Sequence, residues 1–257
     1  MGRIISVSNQ KGGVGKTTTA VNLSAALGIL NKKVLLIDFD PQGNTTSGLG
    51  FNKKEVKLSS YDLLEKDAKP EEIIIHTEFK NLDLIPSHIN LAAADSGISL
   101  FSGKESRLKS KIDHLKNVYD YIIIDCPPSL GIITINAFCA SDGVLVPIQC
   151  EFYALEGLSQ LVNTIKVVKR HHNANLEIEG ILMTMCDTRL KLTHQVMEEV
   201  KKSFPDKVFK TTIPRTVKLS EAPGFGKPVA YFARFNPGTW AYKGLAKEII
   251  NNNNARG

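Results

Sequence analysis

Short apolar runs alternate along the chain with longer segments in which apolar residues recur every three or four positions. An unbroken apolar run of about four to eight residues is typical of a buried parallel strand, whereas the longer recurrence is typical of a helix. The pattern predicts strands at about residues 4–7, 34–38, 81–86, 121–125, 142–148, 177–185 and 208–213. It predicts helices that start at about residues 16, 60, 89, 157, 193 and 242.

Strands and helices alternate over the whole length, and no linker rich in proline, glycine or serine divides the chain. We therefore predict a single α/β domain over residues 1–257, with a doubly wound, mostly parallel sheet flanked by helices. The segment from Ile89 to Lys116 should be mostly helical, with a basic, solvated face. The last helix should end near Ile250, and the tail, residues 251–257, should be frayed.

A glycine-rich stretch joins the first predicted strand to the first predicted helix. It reads Gln10-Lys11-Gly12-Gly13-Val14-Gly15-Lys16-Thr17-Thr18. Glycines let backbone N–H groups approach phosphate oxygens, and the start of a helix adds the positive end of its dipole. Lys16 can reach the outer phosphates, and the Thr17 hydroxyl can ligate Mg²⁺. The order strand, glycine loop, helix predicts a phosphate-binding loop and a Rossmann-like P-loop NTPase fold.

The loop departs from the usual G-x-x-x-x-G-K-[ST] pattern at its first position. Gln10 stands where the pattern has glycine, and a second lysine, Lys11, follows it. One lysine is enough for the phosphates that its own chain binds. We therefore expect Lys11 to serve another phosphate or another subunit.

Two other predicted strands end in acidic residues. The run Val34–Ile37 leads to Asp38 and, after one aromatic residue, to Asp40. The run Ile122–Ile124 leads to Asp125. Ligands of doubly wound sheets bind at the carboxyl ends of the strands, so these carboxylates should lie beside the glycine loop. Asp125 has the position of a Walker B acid, which holds Mg²⁺ directly or through water.

Composition narrows the class of protein further. Apolar residues make up 42% and charged residues 23% of the chain, as in an ordinary soluble globular protein. Cys126, Cys139, Cys150 and Cys186 are widely spaced, which argues against an iron–sulfur or zinc site. The sequence shows no signal peptide and no apolar run of about twenty residues, so we expect a cytoplasmic protein. The formal net charge of +6 is compatible with binding to nucleic acid or to an anionic surface.

These motifs resemble those of the ParA/MinD family of deviant Walker A ATPases. Three stretches match the family's Walker A, Walker A′ and Walker B motifs, namely residues 10–18, 38–44 and 122–129. Three later stretches are similar to segments of chromosomal ParA proteins, also called Soj, namely residues 150–158, 184–189 and 213–223. The resemblance spans nearly the whole chain.

The resemblance implies a Mg²⁺-dependent ATPase that sandwiches two ATP molecules between the subunits of a homodimer. Lys11 would reach the partner's nucleotide, Lys16 would bind the β and γ phosphates, and Asp40 would position the attacking water. The implied nucleotide-binding residues are Lys11, Gly12, Gly13, Val14, Gly15, Lys16, Thr17, Thr18, Met185, Asp187, Pro214 and Thr216. The implied metal-site residues are Thr17, Asp38 and Asp125.

The resemblance also implies that the ATP-bound dimer binds DNA without sequence preference. The basic residues that carry this activity in the family match Arg189 and Lys218, the latter standing where some relatives have arginine. Lysine still pairs with phosphate, although as a point charge without a fork. The implied function is chromosome or plasmid partitioning at the nucleoid, with slow ATP hydrolysis that a ParB-type centromere-binding protein stimulates.

Three alternatives stay open at this point. A MinD-like, membrane-associated division-site ATPase would carry a C-terminal amphipathic helix, but Gly244–Ile250 is short and is followed by asparagines. A reductase like the nitrogenase iron protein would need paired cysteines at a dimer interface, for which Cys126 and Cys139 are no convincing match. A nucleotide switch that regulates a cytosolic partner with little turnover fits the same loop.

Overall fold

The computed structural model describes residues 1–94, 103–151 and 154–255, and for residues 154–156 the backbone alone. The strands are β1 (Arg3–Val7), β2 (Val34–Asp38), β3 (Ile75–His76), β4 (Leu82–Ile85), β5 (Tyr121–Asp125), β6 (Gly143–Gln149) and β7 (Glu177–Thr184). They form one sheet in the order β3-β4-β2-β5-β1-β6-β7. Every neighbouring pair is parallel except β3 and β4, so the carboxyl ends of six strands share one edge of the sheet.

Helices cover both faces of this sheet. They are α1 (Lys16–Ile29), α2 (Asn44–Gly48), α3 (Ser60–Glu65), α4 (Pro70–Ile73), α5 (Arg107–Ile112), α6 (Ile132–Ala140), α7 (Ala154–His171), α8 (Lys191–Ser203), α9 (Val217–Glu221), α10 (Val229–Phe232) and α11 (Pro237–Asn254). Short 3₁₀ turns lie at Lys53–Glu55, Ile89–Ala93, Lys104–Ser106, Asp113–Asn117 and Ala222–Phe225. The doubly wound α/β fold predicted from the sequence is therefore confirmed.

Alternate residues of the central strands enter two different cores. In β1, Ile5 packs with α1 and α11, whereas Ile4 packs with α3, α5 and α6 on the other face. Successive side chains of a strand point to opposite faces, so a strand covered on both faces needs apolar residues at every position. A third core lies between β6, β7, α7 and α8. The unbroken apolar runs in the sequence follow from this double coverage.

Residues 208–213 do not form the predicted seventh parallel strand. The Phe209 and Ile213 N–H groups of this segment donate to the Ile181 and Met183 carbonyls of β7 (3.0 and 2.9 Å), but the pairing amounts to isolated bridges, between Ile181 and Val208 and between Cys186 and Pro214. Between these bridges, the Glu248 carboxylate of α11 accepts the backbone N–H groups of Lys210 (2.7 Å) and Thr211 (3.0 Å). A side chain therefore takes two N–H groups between Phe209 and Ile213, and the pairing with β7 is interrupted there. The two-residue antiparallel β3 occupies the opposite edge of the sheet, and its shortness hides it from periodicity.

The last helix is longer than the sequence pattern predicts. It begins at Pro237 behind the cap Asn236, whose side chain accepts the Gly238 N–H, and it continues to Asn254. The predicted helix end at Ile250 and the predicted fraying of residues 251–254 are therefore wrong. The four asparagines continue the hydrogen bonding of a helix whose earlier turns are anchored in the core. Residues 256 and 257 lie outside the described part of the chain.

In its described part, the segment predicted to be mostly helical from residue 89 to residue 116 forms shorter pieces. It begins with the 3₁₀ turn Ile89–Ala93, and after residue 103 it continues as a 3₁₀ turn, α5 and a second 3₁₀ turn. Residues 95–102 lie outside the described part of the chain. The basic residues of this segment, Lys104, Arg107, Lys109 and Lys111, lie in the described part.

Candidate nucleotide-binding site

The glycine loop lies between β1 and α1, at the carboxyl edge of the sheet. Gly13 (φ 76°) and Gly15 (φ 88°) adopt left-handed backbone conformations, which side chains disfavour, and Gly15 caps α1. The loop is tied to the neighbouring strands. The Thr184 hydroxyl donates to the Val14 carbonyl (2.8 Å), and the Asn9 amide donates to a carbonyl of β6 (2.8 Å). Within the loop, Gly12 and Gly13 are exposed and Val14 is buried.

Lys16, the first residue of α1, has its side chain inside the loop. It is only 8% exposed, and its ammonium donates to the Lys11 carbonyl (2.9 Å). Burial lowers the pKa of Lys16, and the carboxylates of Asp125 and Asp40 oppose that shift. A buried cation therefore lies among the acids that the sequence predicted to be nearby.

Asp38 and Asp125 are paired residues at the ends of β2 and β5. Both are fully buried. Burial raises the pKa of Asp38 to about 6, against the hydrogen bonds that it accepts from Thr46. Burial and the charge of Asp38 raise the pKa of Asp125 to about 8. Two neighbouring carboxylates in a dry site have a high free energy when both are ionised, so the site favours a cation.

The two carboxylates differ in their hydrogen bonds. One oxygen of Asp38 accepts both the N–H and the hydroxyl of Thr46, each at 2.7 Å. One oxygen of Asp125 accepts the Thr45 hydroxyl (2.8 Å), and its other oxygen has no hydrogen-bond partner among the described residues. The Thr17 hydroxyl lies close enough to lower the pKa of Asp125, against the larger effect of burial. Asp125 is therefore the carboxylate with an acceptor to spare, while Asp38 positions α2.

The site offers few protein ligands, which suits Mg²⁺ because this ion takes most of its ligands from water and phosphate. The described residues contain no group of three or more His, Cys, Asp or Glu side chains placed to hold a metal ion. Mg²⁺ usually takes one or two carboxylates and completes its shell with waters and phosphate oxygens. Asp125 and Thr17 can supply protein oxygens of that kind. Asp40 is buried nearby, and it accepts the Gln42 N–H (2.9 Å).

Lys11 has different surroundings from Lys16. Its ammonium forms an ion pair with Glu151 at 2.5 Å, and both side chains are more than a third exposed. Glu151 was missed by the sequence analysis, as were Thr45 and Thr46. The two threonines follow the predicted acidic turn directly, so hydroxyls at the start of the next helix were a usable signal. Glu151 is 140 positions from Lys11, and no local pattern joins them.

A cavity of about 420 Å³ opens beside the start of α1. Its lining includes the residues Gly15, Thr18, Thr184, Met185, Ile213, Pro214, Arg215, Thr216, Leu219, Ser220, Pro223 and Tyr242. The resemblance to the ParA/MinD family places Met185, Asp187, Pro214 and Thr216 at the adenine base. The structure brings three of these together in the cavity lining, but Asp187 is outside it. The Asp187 carboxylate pairs with the Arg189 guanidinium (2.6 Å), which lowers the pKa of Asp187 to about 2.

Arg189 and Lys218 follow two segments that meet at the bridge between Cys186 and Pro214. The Arg189 side chain is 87% exposed. Lys218 lies on α9, is partly exposed and pairs with Glu221 (2.8 Å). Each basic side chain therefore reaches solvent while its charge is paired with a near neighbour in sequence.

A parallel sheet, a glycine loop capping α1 and acids at the adjacent strand ends define a P-loop nucleoside triphosphatase fold. The family model described as an AAA domain matches residues 2–178. The sporulation initiation inhibitor protein Soj of Bacillus subtilis (strain 168) is 56% identical over 252 residues, which cover 98% of this chain and 100% of that protein. The chromosome partitioning protein ParA of Myxococcus xanthus (strain DK1622) is 47% identical, over 97% of this chain and 88% of that protein.

A solved structure shares both fold and sequence with this chain. Cobyrinic acid a,c-diamide synthase from Mycobacterium smegmatis, with bound ATP analogue and magnesium, aligns with a TM-score of 0.88 at 33% identity. The alignment covers 100% of this chain and 98% of that one. The chain belongs to the AAA-domain family and, within it, to the ParA/MinD ATPases that include Soj and ParA.

Proposed function

We propose that this protein is a partitioning ATPase whose ATP-bound homodimer binds DNA without sequence preference. The observation that carries the proposal is the contrast between the two lysines of one loop. Lys16 is buried beside Asp125, whereas Lys11 lies at the surface in an ion pair with Glu151. A buried lysine can serve the phosphates of its own chain. A lysine at the surface can reach a nucleotide held by a second subunit.

Within this proposal, ATP lies along the glycine loop, with its base in the cavity beside α1. Lys16 binds the β and γ phosphates, and loop N–H groups surround them. Thr17 and Asp125 hold Mg²⁺, which supplies charge neutralisation at the phosphates. Asp38 supports this arrangement by fixing α2 through Thr46.

The remaining residues position the attacking water or contact the adenine base of ATP. Asp40 orients the attacking water. Met185, Pro214 and Thr216 contact the base from the cavity lining. Asp187 follows this lining closely in sequence, and its carboxylate pairs with Arg189.

The DNA surface rests on Arg189 and Lys218. Their ion pairs with Asp187 and Glu221 are exposed, and exposed pairs contribute little to stability, so phosphate can replace the acids at small cost. A dimer doubles the number of these cations. The similarity to the chromosome partitioning protein ParA of Myxococcus xanthus supports chromosome partitioning, for which we infer a ParB-type partner that stimulates turnover and a location on the nucleoid in the cytoplasm.

The membrane-associated alternative needs an apolar helical face that is free to meet lipid. In α11 the apolar residues Tyr242, Leu245, Ala246 and Ile249 are buried in the core shared with α1. None of the helices in the described ranges is long and apolar enough to cross a membrane. The packing of α11 therefore favours the DNA-binding function over the MinD-like one.

The reductase alternative fails on the position of its cysteines. Both cysteines are buried. Cys126 belongs to the core that contains Ile4, and Cys139 belongs to the core between β6, β7, α7 and α8. Cluster ligands shared between two subunits have to lie at a surface. The nucleotide-switch alternative differs from the proposal only in turnover.

The deciding experiment measures retention on DNA at graded salt with ATP, ADP or no nucleotide, beside a parallel arm with anionic lipid vesicles. We expect retention with ATP only, with a steep loss as salt rises. Vesicle binding without DNA binding would refute the proposal. Asp40→Ala should prolong the ATP-bound dimer in light scattering, and a monomer in the presence of ATP would contradict the role of Asp40.

A further inference from the structure

Two cysteine side chains meet just beyond the ends of β6 and β7. The Sγ atoms of Cys150 and Cys186 are 3.4 Å apart. Cys150 directly follows β6, and Cys186 lies two residues past the end of β7, after Met185, whose left-handed backbone (φ 51°) turns the chain. The Cys186 N–H donates to the Ile213 carbonyl (2.9 Å), which fixes this turn against the neighbouring segment. The sulfur contact is therefore part of an ordered arrangement.

The other two cysteines lack these properties. Cys126 and Cys139 are fully buried, and burial raises the pKa of both, that of Cys139 to about 11. Of the four cysteines, Cys150 alone is partly exposed. Oxidation of a thiol requires both thiolate character and access, so reaction should begin at Cys150.

The contact itself prepares Cys150 for reaction. A hydrogen bond from the Cys186 thiol stabilises a thiolate at Cys150, which lowers the pKa of Cys150 and raises that of Cys186. The first cysteine is thus the accessible nucleophile, and the second is a thiol in contact with it. An accessible thiolate beside a resolving thiol is the usual arrangement of a redox-sensing pair.

We propose that Cys150 and Cys186 are a redox modification site at which a peroxide forms a reversible disulfide within one chain. The Cys150 thiolate attacks one oxygen of hydrogen peroxide, forms a sulfenic acid and releases hydroxide. The Cys186 sulfur then attacks the sulfenic sulfur and forms the S–S bond, and the sulfenic oxygen leaves as water with the proton of the Cys186 thiol. The hydroxide released in the first step takes up the proton that Cys150 lost when it became a thiolate. The two sulfurs lose two electrons in total, and the peroxide gains them.

The required movement is small. A disulfide has its sulfurs about 2.05 Å apart, so the two atoms have to approach by roughly 1.3 Å. Among the described residues, neither cysteine belongs to a group of three or more metal-ligating side chains.

The disulfide would join two segments of the nucleotide site, a consequence that rests on the function proposed above. Cys150 directly precedes Glu151, the ion-pair partner of Lys11. Cys186 directly follows Met185, which lines the cavity. A covalent link between these segments would fix their spacing. We therefore expect the oxidised protein to lose affinity for ATP and to regain it on reduction.

The test uses the full-length reduced protein, treated with hydrogen peroxide and then alkylated in denaturant. We expect an intact mass lower by about 2 Da before alkylation, two alkylated thiols instead of four after it, a peptide linking Cys150 to Cys186, and reversal by dithiothreitol. Four free thiols, a link between two chains, or Cys150 oxidised to a sulfinic acid with no link would overturn the proposal.

Single substitutions assign the two roles. Cys186→Ser should stop at a sulfenic acid on Cys150, which dimedone captures, and Cys150→Ser should keep its thiols. Cys139→Ala is the matched control and should still form the link. Binding of a fluorescent ATP analogue separates the two proposals: reduced protein without affinity for ATP refutes the nucleotide site and leaves the link intact. Oxidised, linked protein with unchanged affinity overturns the regulatory consequence.

Discussion

The acids at the ends of β2 and β5 and the bases beyond β7 are charged groups in opposite environments. Asp38 and Asp125 are fully buried, and each accepts hydrogen bonds from a threonine of α2. Arg189 and Lys218 extend into solvent and pair with acids two and three residues away. The hydrogen bonds of the acids depend on the tertiary structure, whereas the ion pairs of the bases join residues that are close in sequence.

This difference decides what each charge can do. A buried carboxylate without a cation raises the free energy of the folded protein, and this energy becomes available for binding Mg²⁺ and a nucleotide. An exposed ion pair has little effect on stability and exchanges partners readily. The buried region therefore suits specific chemistry. The exposed region suits collective attraction to a polyanion, which grows when two copies associate.

Removal of the buried cation should have the largest effect. Lys16→Ala eliminates charge-assisted hydrogen bonds to the phosphates, each contributing about 1.5–3 kcal/mol, so ATP affinity should fall roughly hundredfold or more. Titration with a fluorescent ATP analogue measures this. Lys57→Ala, at an exposed position, is the control and should bind normally. Unchanged affinity in Lys16→Ala would refute the loop assignment.

The buried carboxylates should give the protein without nucleotide a distinctive pH dependence. The folded-state pKa values of Asp38 and Asp125 are raised to about 6 and about 8, so the native state binds more protons than the unfolded state above pH 4. The free energy of unfolding should therefore fall as the pH rises from 4 to 8, by at most about 1.4 kcal/mol per pH unit for each carboxyl.

Asp125→Asn tests which carboxyl is responsible. The variant should show a flatter decline, above all between pH 6 and pH 8, because the group that titrates last is gone. Urea denaturation at a series of pH values measures the slope. An unchanged slope would mean that Asp125 ionises normally in the folded protein. The variant should also bind Mg²⁺–ATP less tightly.

Reversal of the exposed bases should change DNA binding and leave the fold unaffected. Arg189→Glu with Lys218→Glu should abolish retention on DNA, and partial replacements should lower the slope of log affinity against log salt by about one for each lost phosphate contact. The free energy of unfolding should change little, because both side chains are exposed. Lys201→Glu with Lys202→Glu, on the exposed end of α8, is the matched control. Equal gel shifts for both variants would eliminate the proposed surface.

The smallest effect should come from the ion pair of Lys11. Glu151→Gln removes an exposed partner, so stability should shift by less than about 1 kcal/mol. A freed Lys11 should let the ATP-dependent dimer form at lower protein concentration, which light scattering measures. Glu198→Gln, at an exposed position of α8, should behave as the wild type. A weaker dimer in Glu151→Gln would show that Glu151 supports the dimer.

Local patterns predicted six of the seven strands, the first helix and the glycine loop, because each depends on neighbouring residues. The predictions were wrong where a distant group intervenes. Residues 208–213 have strand-like periodicity, but the Glu248 carboxylate takes two of their N–H groups. The asparagine tail has no apolar pattern of its own, yet it extends a helix whose earlier turns are buried.

The sequence by itself determined that Lys16, Asp38, Asp40 and Asp125 would lie near one another, since strand ends of a parallel sheet share an edge. Only the tertiary structure decided how they differ. Thr46 ties one carboxylate to α2, while the other keeps an acceptor without a partner in the described chain. It also brought Lys11 to Glu151 and Cys150 to Cys186 across 140 and 36 positions. Contacts at such separations depend on how the sheet orders its strands, which no local pattern specifies.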